Sequence, residues 1–238
     1  AFDVNGDVRW YLTEEWSTVD CSYSFSFDKD GSGFWASRNP LTGSIYNWGC
    51  EIFHMTWTGR VDVLYSGAED TQVHHAGCLG PEGEYLYFAS NRIYSLNPET
   101  GVSSLFLDLD EFIDPSQGAI NVETGGSTTD SWHPNSIEYL PEDDSLLLSY
   151  RNQQMILKID FTTREIKWVF TCASGLDEEG NSWTRLSCDA DKIILPDDGD
   201  ADFEWFYDQH DSNVISYDAQ SGIMLLALFD NGTNRYNY

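Results

Sequence analysis

Apolar and polar positions alternate along this chain in short runs, and the runs recur in pairs. The clearest pair is 137–140 (IEYL) and 146–150 (LLLSY), separated by the acidic turn Pro141-Glu142-Asp143-Asp144. Alternation on both sides of a turn-forming tetrad predicts a β-hairpin. A hairpin folds its ends back side by side. His133 and Arg151 are therefore expected at one edge of a sheet, although eighteen positions separate them. Similar inner hairpins are predicted at 24–37 and 79–90. Pairs of outer strands follow at 52–63, 93–105, 156–169 and 215–226, and a strand-like segment at 2–10 opens the series. Units of about 40–60 residues, each of four short strands, are the pattern of a β-propeller. At that period the chain supplies roughly five blades, some incomplete, and 1–238 is expected to form one all-β domain. Residues 108–114 read as one or two helical turns ended by Pro115. The Gly/Ser/Thr-rich loop at 125–129 and the acidic loop at 174–202 read as insertions on the rims, placed to lid an axial funnel.

Composition agrees with this and narrows the partners. Hydrophobic residues make up 41% of the chain and aromatic ones 15%, with nine Trp and thirteen Tyr. That supports a sizeable core and favours strands over helix bundles. The net charge is −28, with twelve Lys and Arg against forty carboxylates. Long-range attraction to nucleic acid or to anionic lipid is excluded on that balance. No apolar run approaches the roughly 20 residues of a membrane-spanning helix. No signal peptide is visible either, since the chain opens directly into a strand-like segment, as a mature or partial sequence would. The best calcium-loop candidate, Asp28-Lys29-Asp30-Gly31-Ser32-Gly33, departs from EF-hand spacing and lacks the closing acidic residue, so it reads as a hairpin turn. Five cysteines (Cys21, Cys50, Cys78, Cys172 and Cys188) show no C-x-x-C spacing that would suggest zinc. Cys172 with Cys188, and Cys21 with Cys50, are candidate disulfides, which leans toward an oxidising compartment.

Candidate chemistry sits with the histidines, of which there are five: His54, His74, His75, His133 and His210. His75 and His133 each stand just ahead of a predicted inner hairpin, and His210 just ahead of the strands at 214–227, so the three hold matching places in three different repeats. In a propeller the innermost strands run alongside the central axis, so these three and Arg151 are expected to converge at one end of the channel. Solitary histidines satisfied by backbone carbonyls are the plainer expectation for any one of them. Three at matching repeat positions point instead to a site. A zinc site is one functional alternative, because neutral imidazoles at one locus invite metal. Arg151 argues against it and favours a tetrahedral oxyanion, sulfate or phosphate.

Several motifs carry a family resemblance. His133-x-Asn135-Ser136-Ile137, followed by Asp143-Asp144-Ser145 and Ser149-x-Arg151-x-Gln153, is similar to the bacterial aryl-sulfate sulfotransferases of the periplasm. Tyr207-x-Gln209-His210, Phe229-Asp230-Asn231-Gly232-x-x-Arg235, His74-His75 with Pro81-x-Gly83, and the opening Asp3-x-x-Gly6-x-Val8-Arg9-Trp10-Tyr11 match in the same order. The resemblance implies a six-bladed propeller that moves a sulfuryl group between phenols without a nucleotide donor. By motif, His210 resembles the nucleophile that becomes transiently sulfated. His75, His133 and Arg151 resemble the groups that hold the sulfuryl oxygens and serve the leaving phenol. Asn135 resembles a supporting polar contact, and His74 is placed with it among the substrate-binding positions. The family's His-His-Asp reads His74-His75-Ala76 here, and its close cysteine pair before the nucleophile is replaced by Cys172 and Cys188. Its N-terminal sandwich domain and last propeller stretch are expected to be absent, leaving 1–238 as a fragment.

The resemblance further implies an aryl sulfate donor, a phenolic acceptor, no cofactor, and a periplasmic or extracellular location. A homo-oligomer is left open. No G-x-x-x-x-G-K-[ST] phosphate loop occurs, so a nucleotide sulfate donor has no support. Three other readings stand beside this one: a non-catalytic propeller that binds a partner on its rim, a sulfate-ester hydrolase using the same site, and a structural fragment inactive because its propeller is open. Trp16, Trp183, Trp205 and Phe206 are the candidate rim aromatics for an acceptor.

Overall fold

The computed structural model describes residues 5, 7, 21–38, 51–66, 73–89, 91–112, 132–151, 153, 155–171, 192–194, 206 and 208–232. In chain order the strands are β1 (Cys21–Phe27), β2 (Gly33–Arg38), β3 (Glu51–Thr56), β4 (Val61–Ser66), β5 (Val73–Leu79), β6 (Tyr85–Ala89), β7 (Arg92–Leu96) and β8 (Ser103–Asp108). They continue as β9 (Pro134–Leu140), β10 (Ser145–Tyr150), β11 (Met155–Asp160), β12 (Ile166–Thr171), β13 (Ile193–Ile194), β14 (His210–Asp218) and β15 (Ile223–Phe229). A short 3-10 helix, Leu109–Phe112, supplies the helical turn expected before Pro115.

Four strands, each hydrogen-bonded to the next, make up each of the first three sheets: β1–β4, β5–β8 and β9–β12, with β13 added in parallel to the last. β14 and β15 form a two-stranded fourth sheet. The first strands β1, β5, β9 and β14 lie against one another in succession. The chain is thus an all-β propeller whose blades share an inner-strand axis, and among the described residues the ring of sheets is not closed. The strands at 215–226, read from sequence as an outer pair, are instead the inner pair of the fourth blade. They pack beside β9 and β10. An inner and an outer pair carry the same alternating pattern, and only the neighbour across the blade distinguishes them.

Aromatic packing fixes each blade on the next. Trp35 of β2 stacks on Tyr85 of β6 at 5.1 Å. Phe88 of β6 meets Tyr150 of β10 edge-on at 6.2 Å. Leu140, Leu147 and Ile156 pack with Phe206 and with Val214, Met224 and Leu226 of the fourth sheet. Phe206 is buried in that cluster and is no rim aromatic; Trp16, Trp183 and Trp205 lie outside the described residues. On the other face of the fourth sheet Ile215, Ile223, Leu225 and Phe229 are exposed. Among the described residues nothing covers them.

The 28–33 segment is a tight turn, as its sequence suggests: Gly31 N–H donates to the Asp28 carbonyl at 2.9 Å. Asp28 Oδ2 lies 2.8 Å from His54 Nε2, so His54 belongs to this hairpin and not to the axis. Cys78 is a free, buried thiol. The side chain of Cys21 and all of Cys50, Cys172 and Cys188 lie outside the described residues, as do the loop at 125–129 and most of the acidic insertion at 174–202.

One buried cation anchors the third blade to the fourth. Lys158, 2% exposed, donates to Asp143 Oδ2 at 2.8 Å and to the Tyr217 hydroxyl at 2.9 Å. Burial pushes the Asp143 carboxyl up, but hydrogen bonds from Lys158, Ser145 and Tyr217 outweigh it and bring the group down to about 2. A carboxylate lowered in the folded state stabilises fully above its ordinary value near 3.8 and progressively less as pH falls toward 2. Asp143→Ala leaves Lys158 buried without its counter-charge. Chemical denaturation at neutral pH should show a loss of about 3–5 kcal/mol, shrinking as the pH approaches 2.

Candidate active site

At the head of each inner strand the pairing slips. The register shifts between Cys21 and Phe25 in β1, between His74 and Gly77 in β5, opposite Ser149/Tyr150 in β9, and between His210 and Asn213 in β14. Bulges of this kind re-aim side chains and gather next to active sites. Backbone angles mark the same places. His75 has φ 39°, His133 φ 48°, and Asp208 and Asp211 each φ 54°. Left-handed backbone is uncommon outside glycine, though His and Asp tolerate it better than most. Gly77 makes the β5 bulge feasible, since a Cβ there would run into the Tyr85 ring and the Leu86 carbonyl. The bulge also explains why sequence placed the inner hairpin at 79–90 when β5 begins at Val73: the slip at His74–Gly77 breaks the period-2 signal.

The three histidines converge. His75 Nε2 lies 3.1 Å from His133 Nε2. The ring centres are 5.0 Å apart for His75 and His133, 5.7 Å for His75 and His210, and 5.9 Å for His133 and His210. One nitrogen from each ring falls within 4.8 Å of the others. All three are partly buried. The predicted hairpin geometry holds as well, with the Arg151 N–H donating to the His133 carbonyl at 3.1 Å. Trp132, wholly buried, anchors the chain just before His133. Its ring meets Tyr150 edge-on at 5.0 Å and its Nε1–H donates to Asp110 at 2.9 Å.

His210 is held from behind. Its Nδ1 lies 2.9 Å from the Asp208 carbonyl, which can only accept, so Nδ1 carries the proton and Nε2 keeps its lone pair. The Asn231 amide nitrogen stands 3.1 Å from the same nitrogen, and with Nδ1 protonated the amide must turn its oxygen there to accept. Burial lowers the His210 pKa below 6.5. The Asp208 carbonyl bond works against that, and the nearby His133 and Arg151 charges reinforce it. His210 is therefore a neutral imidazole at neutral pH.

The matched family model is Arylsulfotransferase (ASST), over residues 1–238. The chain belongs to the arylsulfotransferase family. It is also similar to the arylsulfate sulfotransferase AssT of Escherichia coli, at 31% identity over 109 residues. That match covers 44% of this chain and spans 17% of the relative's length. Among solved structures, an auxiliary nutrient binding protein from Bacteroides thetaiotaomicron aligns over 87% of this chain and 42% of its own, with a TM-score of 0.52 at 11% identity. Virginiamycin B lyase from Staphylococcus aureus aligns over 71% of this chain and 47% of its own, with a TM-score of 0.43 at 17% identity. These two likenesses concern the fold alone.

Of the residues singled out in this family member's sequence, His75, His133, Arg151 and His210 lie together at the axis. His74 sits in β5 opposite Phe88. Asn135 is buried, and its Nδ2 donates to the Gln209 carbonyl at 2.7 Å, so it grips the residue just before His210. Gln209 in turn donates to the Tyr150 and Met155 carbonyls, both at 2.9 Å. Ser136 and Ser212 hydroxyls meet at 2.8 Å. This buried polar clamp, β9 and β10 to β14, sets where His210 stands.

Sequence reasoning missed Asp208, 1% exposed, whose carboxylate lies 3.7 Å from an Arg151 guanidinium nitrogen. The family's orienting carboxylate was sought beside His75, where Ala76 stands. Its place two residues before His210 was the one sequence sign of a carboxylate there, and nothing in the sequence tied it to Arg151.

Because the folded-state value of His210 lies below 6.5, the unfolded chain binds the proton first as pH falls, and this group lowers stability below that pH. Imidazole NMR across a pH titration should place the His210 midpoint below 6.5. In Arg151→Gln one of the two repulsive charges is gone, and the midpoint should move upward.

Proposed function

We propose that this chain carries the sulfuryl-transfer site of an aryl-sulfate sulfotransferase, which moves a sulfuryl group from a phenolic sulfate ester to another phenol through a sulfated His210. The observation that carries the reading is the convergence of three imidazoles from three blades, with Arg151 beside them and with His210 neutral and fixed through Nδ1. A sulfate monoester repels anionic nucleophiles, so an uncharged imidazole is the suitable attacker. Sulfuryl transfer resembles phosphoryl transfer in its loose, in-line transition state, in which positioning and positive charge supply most of the catalysis.

In the first half-reaction His210 Nε2 attacks sulfur, the N–S bond forms, and the S–O(aryl) bond breaks. Arg151 and His75 neutralise the equatorial oxygens. His133 gives its proton to the departing phenolate. In the second half-reaction His133 takes the proton of the incoming phenol, its oxygen attacks sulfur, and the N–S bond breaks to restore His210. Asn135 acts through Gln209, holding the nucleophile's strand in place. The 3.1 Å contact between His75 and His133 lets one of them donate to the other. No nucleotide donor and no cofactor enter this scheme. A periplasmic or extracellular setting follows from the same family reading, and among the described residues no helix is long and apolar enough to cross a membrane.

Mixing the protein with an activated aryl sulfate should give a stoichiometric burst of phenol and a peptide containing sulfated His210, seen by intact mass and fragmentation. His210→Ala should abolish both. His133→Ala should slow turnover by about 10²–10⁴-fold. If no burst and no sulfated peptide form, the ping-pong scheme is wrong. If turnover is the same with and without a phenol acceptor, the site is a hydrolase.

A further inference from the structure

We infer that His75, His133 and His210 also form a binding site for one divalent transition-metal ion, zinc by preference, and that the ion shuts off sulfuryl transfer by occupying the place of the sulfuryl group. The second half of this statement rests on the functional reading above; the first half does not.

Three observations support it. The first is distance. Tetrahedral zinc with Zn–N bonds of about 2.0–2.1 Å holds its imidazole nitrogens roughly 3.3–3.4 Å apart. His75 and His133 already stand at 3.1 Å, and the third nitrogen lies within 4.8 Å of both. Modest rotation of the side chains closes the set.

The second is the orientation of His210. Its Nδ1–H is committed to the Asp208 carbonyl, the arrangement that fixes a metal-binding tautomer and turns Nε2 outward. The close contact between His75 and His133 requires one shared proton. An ion bound there displaces that proton from between the rings, to the ring's other nitrogen or to solvent.

The third is charge. Arg151 is the obvious objection to a cation, and on sequence alone it decides against one. In the folded protein the buried carboxylate of Asp208 faces Arg151 at 3.7 Å. The pair leaves little net field to repel a dication, and the −28 net charge of the chain draws cations toward the protein. Three protein nitrogens leave a fourth position open to water, as at catalytic zinc sites. Four-coordinate, nitrogen-rich geometry suits zinc and cobalt(II) better than magnesium or calcium, which demand oxygen ligands.

Cobalt(II) serves as the visible probe. Titrating the whole chain with cobalt(II) should raise d–d absorption bands that saturate at one ion per chain and vanish on adding zinc or EDTA. His75→Gln and His210→Ala, each checked for a native circular-dichroism spectrum, should bind at least about tenfold more weakly. His54→Gln, at the distant 28–33 turn, should bind as the unmodified protein does. Zinc should then raise the apparent KM for an aryl sulfate, and EDTA should reverse it. Absence of cobalt bands in the unmodified protein overturns the site whatever the variants do, as do bands unchanged in both axial variants. Cobalt bound at the histidines in a protein that transfers no sulfuryl group upholds the metal site and overturns the functional reading. Transfer unaffected by saturating zinc overturns the inhibition.

Discussion

Everything at the axis depends on two histidines held in left-handed backbone. His75 and His133 sit at φ 39° and 48°, a conformation that costs an L-residue roughly 1–2 kcal/mol. The surroundings over-determine it. Trp132, buried between Tyr150 and Asp110, pins the residue before His133, and the Arg151 N–H fixes the His133 carbonyl. At His75 the bulge is permitted by Gly77, where no side chain fits against Tyr85. Without these bulges the strand period would carry a histidine onto the face of a blade, and no two rings would meet.

The local electrostatics run against the global charge. A chain with forty carboxylates has gathered three imidazoles and a guanidinium at one spot and placed a single buried carboxylate, Asp208, behind them. Burial, opposed by the Asp208 carbonyl and aided by His133 and Arg151, keeps His210 uncharged. The result is an uncharged imidazole beside a guanidinium, the combination that the proposed attack on a sulfate ester needs. The same three rings are the metal ligands inferred above. On the readings proposed above, an oxyanion and a metal ion compete for this one locus.

The blades are held in register by different chemistry at each interface. The first two meet through stacked aromatics, Trp35 on Tyr85. The second and third meet across a large core that includes Phe88, Trp132 and Tyr150. The third and fourth combine an aliphatic cluster with polar clamps: Asn135 to Gln209, Ser136 to Ser212, Glu138 to the Val214 N–H at 3.0 Å, and Lys158 with Asp143 and Tyr217. Buried polar contacts with fixed partners specify one register where apolar contacts tolerate several. They lie at the interface that positions His210.

The alternation at 137–150 was enough to determine the hairpin and, with it, the meeting of His133 and Arg151, because a short turn leaves the two strand ends no other arrangement. Repetition of that pattern determined an all-β propeller, and the matching repeat positions of His75, His133 and His210 pointed to a shared axis. The sequence did not separate the inner pair β14–β15 from an outer pair, since both read alike until a neighbouring blade is present. It misplaced the start of β5, because a bulge breaks the period that locates strands. Asp208 was invisible as Arg151's partner. Fifty-seven positions separate the two, and only the stacking of one blade on another brings such a pair within reach.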